Sequence, residues 1–175
     1  MISPIKLIAI IILALSTSNW VFGQEELSKV VNVTLPSNKK KLNKIELSTT
    51  SKQRFEKVPF TLPNDKIFQV DNMILSVRDL GRKHGSNRSL EDFKRELMGV
   101  YSLNPERIKT NKIITIGNIK VLLVEILNDK EGSFHFYTDY KNDKNFTGQL
   151  NFAKADEEDA KSYIETILKS LKFKE

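Results

Sequence analysis

The pattern of apolar and polar positions between Arg107 and Ala153 predicts four consecutive antiparallel strands. Two apolar runs, RIKTNKIITI and IKVLLVEIL, flank Gly117-Asn118, the composition that a two-residue hairpin with positive φ at its first position requires. Their β-branched content and short length favour strands over helices. SFHFYTDY and FTGQLNFA follow, and their alternation gives the sheet one aromatic and aliphatic face and one mixed face.

Two stretches have the apolar spacing of amphipathic helices. In DEEDAKSYIETILKSL the apolar residues form one stripe, and Asp156 is the predicted N-cap. The other helix follows Ser89, a predicted N-cap with Asp92 three residues on, and has a stripe at Leu90, Phe93, Leu97 and Tyr101. It is predicted to end before Asn104-Pro105, because the residue before a proline avoids helical geometry.

The first half of the chain adds VVNVTLP, VPFTL, KIFQV and MILSV as further predicted strands, and the stretch Asn38–Lys44 as a basic loop. Strands of both groups can join one sheet with the helices covering it. The predicted fold class is therefore α+β, an antiparallel β-sheet flanked by helices, in a single domain over residues 24–175.

The first 23 residues have the pattern of an export signal. Lys6 precedes an apolar run from Leu7 to Leu15, and a small residue, Gly23, comes before Gln24. The run is shorter than the roughly 20 residues of a membrane span, which favours a removed signal peptide over a retained anchor. We expect a periplasmic or secreted protein after cleavage near Gly23/Gln24, with no transmembrane span in the mature chain.

Composition removes several functions. The chain has no cysteine, which excludes disulfides, lipidation of a cysteine, thiol catalysis and cysteine-ligated metals. The formal charge of +6 favours anionic surfaces such as lipid head groups, although dispersed lysines are also typical of an ordinary solvated surface. The densest basic patch has no interleaved aromatic residues, so no nucleic-acid partner is indicated. The Lys-, Asn- and Ile-rich composition indicates a bacterial protein.

The first candidate site surrounds His135, whose strand face also carries Tyr137 and Asp139. We expect Gln149, Asn151 and Glu125 to project from neighbouring strands on the same side. An imidazole beside a carboxylate can perform general acid–base chemistry near neutral pH. The simpler interpretation is a half-exposed sheet face on which polar residues alternate without a function.

The second candidate site is the loop GRKHGSNR, where Arg82, Lys83, His84 and Arg88 could hold an anion such as phosphate. Basic loops before helices are common without such a role. No phosphate-binding loop, dinucleotide fingerprint, HExxH or calcium-loop motif is present, so no cofactor and no metal is predicted.

The order of elements resembles the PsbP/Mog-like fold group, to which exported bacterial DcrB-type proteins are similar. The resemblance covers Lys29 to Phe173 and consists of an early Leu-Pro turn, a mid-chain amphipathic helix, a strand pair crossing Ile-Gly-Asn-Ile, a strand containing Thr147-Gly148, and the closing ILKSLKF. Asp65-Lys66-Ile67 stands where that group commonly has a tryptophan. The resemblance implies an α/β/α sandwich that works as a binding or accessory module, and it transfers no catalytic residue.

Three functions remain open. The favoured one is an exported non-enzymatic binding or accessory module of the bacterial cell envelope, whose partner is an unknown protein or envelope component, with a position at the membrane surface also compatible. The second is a small acid–base hydrolase centred on His135, which fails if Glu125 points to the opposite face. The third is an apolar-ligand carrier with a cavity between the sheet and the last helix.

Overall fold

The computed structural model describes residues 26–56, 58–59, 61–81, 89–101 and 104–175, which form nine strands and three α-helices. The helices are α1 (Lys44–Lys52), α2 (Leu90–Tyr101) and α3 (Glu157–Lys169). The strands are β1 (Val31–Asn32), β2 (Lys39–Leu42), β3 (Lys66–Val70), β4 (Met73–Gly81), β5 (Ile108–Ile116), β6 (Ile119–Leu127), β7 (Glu131–Thr138), β8 (Lys144–Ala153) and β9 (Lys172–Phe173).

Seven strands form one antiparallel sheet in the order β2-β3-β4-β8-β7-β6-β5, and β1 pairs separately with β9. The four strands predicted between Arg107 and Ala153 are confirmed as β5 to β8. The hairpin between β5 and β6 is also confirmed, since Ile116 pairs with Ile119 and Gly117 has a φ of +58°. Only a glycine adopts this backbone conformation without steric cost.

Helix α3 covers one face of the sheet, which we call the aromatic face. Its stripe of Ala160, Ile164, Ile167 and Leu168 is buried as predicted. The face beneath carries two phenylalanine pairs, Phe134 with Phe152 at 5.3 Å between ring centroids and Phe136 with Phe146 at 5.7 Å. The rings lie directly over Gly132 and Gly148, where an added Cβ would come within 2.5 Å and 2.4 Å of them.

Helices α1 and α2 cover two separate parts of the opposite face. Leu47 of α1 packs with Leu42, Ile67 and Ile74 at the β2–β4 side. Leu90 of α2 packs with Leu122 and Val124 at the β5–β6 side, where the partly buried Phe93 and Leu97 also contact the sheet. Helices on both faces of a single open sheet make an α/β/α sandwich, as the resemblance implied.

The helix starts differ in how the first amide groups are satisfied. The predicted cap of α2 is confirmed, because the Ser89 amide donates to Asp92 Oδ2 at 3.0 Å and the Asp92 amide donates to Ser89 Oγ at 3.1 Å. Asn43 caps α1 in the same reciprocal way with Glu46, a start that the sequence analysis did not identify. Asp156 stands at the N-cap of α3, but its side chain makes no capping hydrogen bond.

Three expectations for the first half of the chain need correction. The prediction of a basic loop over Asn38–Lys44 is wrong, because Lys39–Leu42 is the edge strand β2. This strand exposes its lysines and buries Leu42. Lysines suit an edge strand because they discourage pairing with another chain. VVNVTLP contains only the two-residue strand β1, and the described part of VPFTL contains no strand. The predicted export signal lies outside the described residues.

Candidate functional site

Polar residues of β4, β8 and β7 face the gap between the α1 and α2 clusters. We call Ser76, Ser133, His135, Thr147, Gln149 and Asn151 the polar floor. Strand register places them in rows, because Gln149 pairs with Ser76 on one side and with His135 on the other. Asn151 pairs with Ser133 in the next row. The floor is recessed, since Ser76, Thr147 and Asn151 are buried and the other members are half-buried.

A narrow cleft of about 30 Å³ opens over this floor. Its lining consists of Ser76, Arg78, His135, Tyr137, Thr147, Gly148 and Gln149. A water molecule needs about 10–15 Å³ by the same measure, so the cleft has room for about two waters or one small polar group. Pockets that enclose a whole small-molecule ligand are roughly ten times larger. The cleft therefore suits a protruding group of a larger partner.

Hydrogen bonds between neighbours hold the floor side chains in place. Ser133 Oγ lies 2.9 Å from His135 Nε2, and Gln149 Nε2 donates to Asn151 Oδ1 at 2.7 Å. Thr147 Oγ1 donates to the Phe136 carbonyl oxygen at 2.9 Å. The floor is thus pre-organised before any partner arrives, which lowers the entropic cost of binding.

Arg78 forms one wall of the cleft and is held by an ion pair. Its Nη1 donates to Asp65 Oδ1 at 2.6 Å, and the Asp65 side chain is only 1% exposed. The Arg78 Nε is buried and has no hydrogen-bond partner among the described residues. A buried donor without an acceptor costs about 1–3 kcal/mol.

His135 is neutral at physiological pH. Burial disfavours the imidazolium and lowers the pKa of His135 to about 4. The residues that line the cleft include no carboxylate that could counteract this effect. The imidazole therefore serves as an uncharged hydrogen-bonding group, and it is a weak base compared with an unperturbed histidine.

The expectation that Glu125 shares the His135 face is wrong. Glu125 pairs with Phe134, whereas His135 pairs with Val124, so the two polar side chains leave opposite faces of the sheet. Glu125 is buried on the aromatic side, where its Oε2 accepts a hydrogen bond from Thr110 Oγ1 at 2.9 Å. The hydrolase hypothesis required Glu125 and His135 on the same face. A hydrolase that uses Glu125 as its carboxylate is therefore excluded.

The other predicted site residues do not all lie beside His135. Gln149, Asn151 and Tyr137 lie on the His135 side as expected, and Tyr137 also meets Phe93 of α2 edge-on at 4.7 Å between ring centroids. Asp139 follows the end of β7 and lines another cleft beside Leu90 and Lys120. Burial raises the pKa of Asp139. The anion-site residues Arg82, Lys83, His84 and Arg88 lie outside the described residues.

Sequence reasoning missed Ser76, Arg78 and Thr147 as cleft residues. A signal was present, because Ser76 and Arg78 interrupt an apolar strand at every second position, which marks one polar face. Nothing in the sequence indicated Asp65, whose meeting with Arg78 depends on the β3–β4 pairing. Among the described residues, no group of three or more histidines and acidic residues could hold a metal ion.

The seven-stranded antiparallel sheet with helices on both faces is a PsbP-like α+β fold. No family model matches the chain, and no curated protein does so either. Among solved structures, the chain is similar to cyanobacterial PsbP (CyanoP) of Synechocystis sp. PCC 6803, with 12% identity, a TM-score of 0.51 and coverage of 83% of this chain and 93% of that one. It also matches LpqN of Mycobacterium tuberculosis, described as involved in cell envelope biogenesis, with 11% identity, a TM-score of 0.45 and 83% coverage of each chain.

None of the helices within the described ranges is long and apolar enough to cross a membrane.

Proposed function

We propose that the chain is an exported, non-enzymatic binding or accessory module of the bacterial cell envelope. Its contact surface is the polar floor between α1 and α2. The observation that carries the proposal is a pre-organised polar cleft of only about 30 Å³, with the buried Arg78 Nε beside it and without a partner in the described part of the chain. Such a cleft accepts one hydrogen-bond acceptor, such as a backbone carbonyl, from a larger partner.

The chemistry of the cleft favours binding over catalysis. General acid–base hydrolysis needs a proton acceptor of suitable pKa within reach of the substrate. His135 has a pKa of about 4, Glu125 is on the other face, and Asp139 lines a separate cleft. The side chains lining the cleft include no carboxylate.

The aromatic face favours a packed core over an apolar carrier. The rings of Phe136 and Phe152 occupy the space above Gly148 and Gly132, closer than a Cβ could tolerate. Close packing of this kind leaves little volume for a lipid-sized ligand in that part of the core.

Export is a second part of the proposal, carried by the N-terminal pattern of Lys6 and the Leu7–Leu15 run. Expression of the full-length gene in a bacterium, followed by intact-mass measurement of the exported product, should give a chain that begins at Gln24. A product that retains residues 1–23 would contradict cleavage, and a product confined to the cytoplasm would contradict export.

The floor is tested by cross-linking, which the absence of natural cysteines makes specific. Gln149→Cys introduces one thiol in the cleft, and Glu165→Cys introduces one on the exposed side of α3. Each thiol is coupled to a photoactivatable maleimide in the purified protein, which is then mixed with a bacterial cell-envelope fraction and irradiated. We expect one discrete adduct from position 149 and no matching adduct from position 165.

Adding Arg78→Lys to Gln149→Cys sharpens the test. Lysine keeps a cation beside Asp65 but removes the Nε donor, so the adduct yield should fall several-fold while the protein remains folded. Equal adduct yields from both cysteine positions would overturn the assignment of the polar floor as the contact surface. An adduct yield that Arg78→Lys does not change would overturn it as well.

A further inference from the structure

Four lysines from three distant chain segments surround a second pocket, of about 180 Å³. We call Lys29, Lys141, Lys144 and Lys174 the lysine corner. Val30, Asn142 and Glu175 complete the lining. A larger pocket of about 400 Å³ adjoins it, sharing Lys29 and Lys144 and adding Lys66. The lysine corner shares no lining residue with the cleft over the polar floor.

Backbone geometry fixes the positions of these lysines. The Lys141 amide donates to the Lys144 carbonyl oxygen at 2.8 Å, and the Lys144 amide donates back at 3.1 Å. Asn142 and Asp143 between them have φ values of +51° and +58°, as in a tight type I′ turn. The two lysines are therefore a hydrogen-bonded cross-strand pair, with Cα atoms about 5.5 Å apart. The Lys174 amide donates to the Val30 carbonyl oxygen at 2.9 Å, and both of these segments line the pocket beside this turn.

Two of the ammonium groups are held by the protein. Lys174 Nζ donates to Glu26 Oε1 at 2.7 Å and to the Ser28 carbonyl oxygen at 2.5 Å. Lys141 Nζ donates to the Lys174 carbonyl oxygen and lies 5.4 Å from the centroid of the Phe173 ring. These contacts keep two positive charges fixed at the rim.

The other two ammonium groups are held less firmly. Across the described ranges, neither Lys29 nor Lys144 makes a side-chain hydrogen bond or a close ion pair, although the charge of Lys29 helps to lower the pKa of Glu26. Like charges on directly opposed residues are destabilising, so the Lys141–Lys144 pair gains from a bound anion. The lining of both pockets together has six cationic side chains against three carboxylates, those of Glu26, Asp79 and Glu175.

We propose that the lysine corner binds a phosphate group. Lysine ammonium groups act as point charges with three donors each and suit the several oxygens of a phosphate. Ammonium groups that line the same pocket can contact such an anion together. The phosphate is either free or part of an anionic lipid head group, and the experiment distinguishes these sources. The proposal does not depend on the function of the polar floor.

The test compares two charge-matched double variants of the protein made from its full-length gene. Lys29→Gln/Lys144→Gln removes the two unpaired corner charges, and Lys52→Gln/Lys112→Gln removes two exposed charges elsewhere. Calorimetric titration uses inorganic phosphate. Co-sedimentation uses phosphatidylcholine vesicles with and without phosphatidylglycerol. Thermal unfolding verifies that each variant is folded.

We expect the corner variant to lose at least about tenfold in affinity while the control variant stays close to wild type, because each lysine contributes separately near an anionic surface. Loss in the titration with inorganic phosphate identifies a site for the free group. Loss only with phosphatidylglycerol vesicles identifies the lipid head group. Equal losses in both double variants, or no binding of either probe by the wild type, would overturn the proposal.

Discussion

The burial of the His135 imidazole leads to a prediction for how stability depends on pH. The unfolded chain takes up a proton near the ordinary histidine pKa of about 6.5, whereas the folded protein does so only near 4. Between these values the unfolded state binds more protons, so the His135 contribution to the free energy of unfolding falls as the pH falls.

The measurement compares wild type with His135→Gln by denaturant unfolding from pH 7 to pH 4. The stability of wild type relative to the variant should decrease by up to about 3 kcal/mol over this range. Taking the difference in free energy of unfolding between the two proteins cancels the contribution of the carboxylates, because these titrate in both. A difference that does not change with pH would show that the imidazole is solvated in the folded state.

Substitution of glycine by alanine should change the stability in opposite directions at Gly148 and Gly99. At Gly148 an added Cβ meets the Phe136 ring at 2.4 Å and the Ser76 carbonyl oxygen at 3.0 Å, so Gly148→Ala should destabilise the protein by about 1–3 kcal/mol. At Gly99 in α2 no atom lies within 4 Å of an added Cβ. Gly99→Ala should stabilise the protein by up to about 1 kcal/mol, since alanine favours helix. Thermal unfolding curves test both, and a tolerated Gly148→Ala would mean that the ring moves freely.

Alternation predicted the faces of single residues well within one strand and less well between strands. His135, Gln149 and Asn151 were placed correctly because their strands alternate clearly. Glu125 was misplaced because its face depends on the register between β6 and β7. That register is set by the turn after Leu127, where Asn128 Oδ1 accepts hydrogen bonds from the amides of Lys130 and Glu131 at 2.8 Å each. The sequence alone does not fix this turn.

At the scale of elements, capping separates helices that look alike in sequence. Asn43 accepts from the Ile45 and Glu46 amides at 2.9 and 3.0 Å, whereas Asp156 makes no side-chain cap. Asn43→Ala should therefore cost about 1 kcal/mol of stability, and Asp156→Ala much less. Chemical denaturation of both variants at pH 7 measures this, and equal losses would contradict the assigned difference between the two helix starts.

The elements missed by sequence analysis share a physical cause. Helix α1 has Ile45, Thr49 and Thr50, which favour strands, and it forms through the Asn43 cap and the burial of Leu47 and Ser51. Strand β2 is rich in lysine because it lies at the edge of the sheet, and an edge cannot be recognised before the strand order is known. Strands β6 to β8 were predictable because their apolar faces are continuous and lie in the interior of the fold. Strand β5 is also an edge strand, and it was predictable from its β-branched run before the Gly117-Asn118 turn.

At the scale of the whole molecule, both proposed sites are made by residues far apart in the chain. The polar floor combines β4 with β7 and β8, and the lysine corner combines the segment before β1, the turn between β7 and β8, and the segment after β9. Sequence analysis noted an overall positive charge and the densest local patch, yet the lysines that converge are dispersed ones. Their convergence follows from β1–β9 pairing and the turn at Asn142, which are tertiary features.

The proposed function requires that the polar floor is open in the isolated protein and occupied in the cell. The direct measurement is the rate of maleimide labelling of Gln149→Cys in purified protein and in intact cells, with Glu165→Cys as the reference position. Position 149 should label readily when purified and at least about tenfold more slowly in cells, because a bound partner excludes the reagent, while position 165 keeps a constant rate. An equal cell-to-purified ratio at both positions would contradict a bound partner, and slow labelling of purified Gln149→Cys would contradict an open floor.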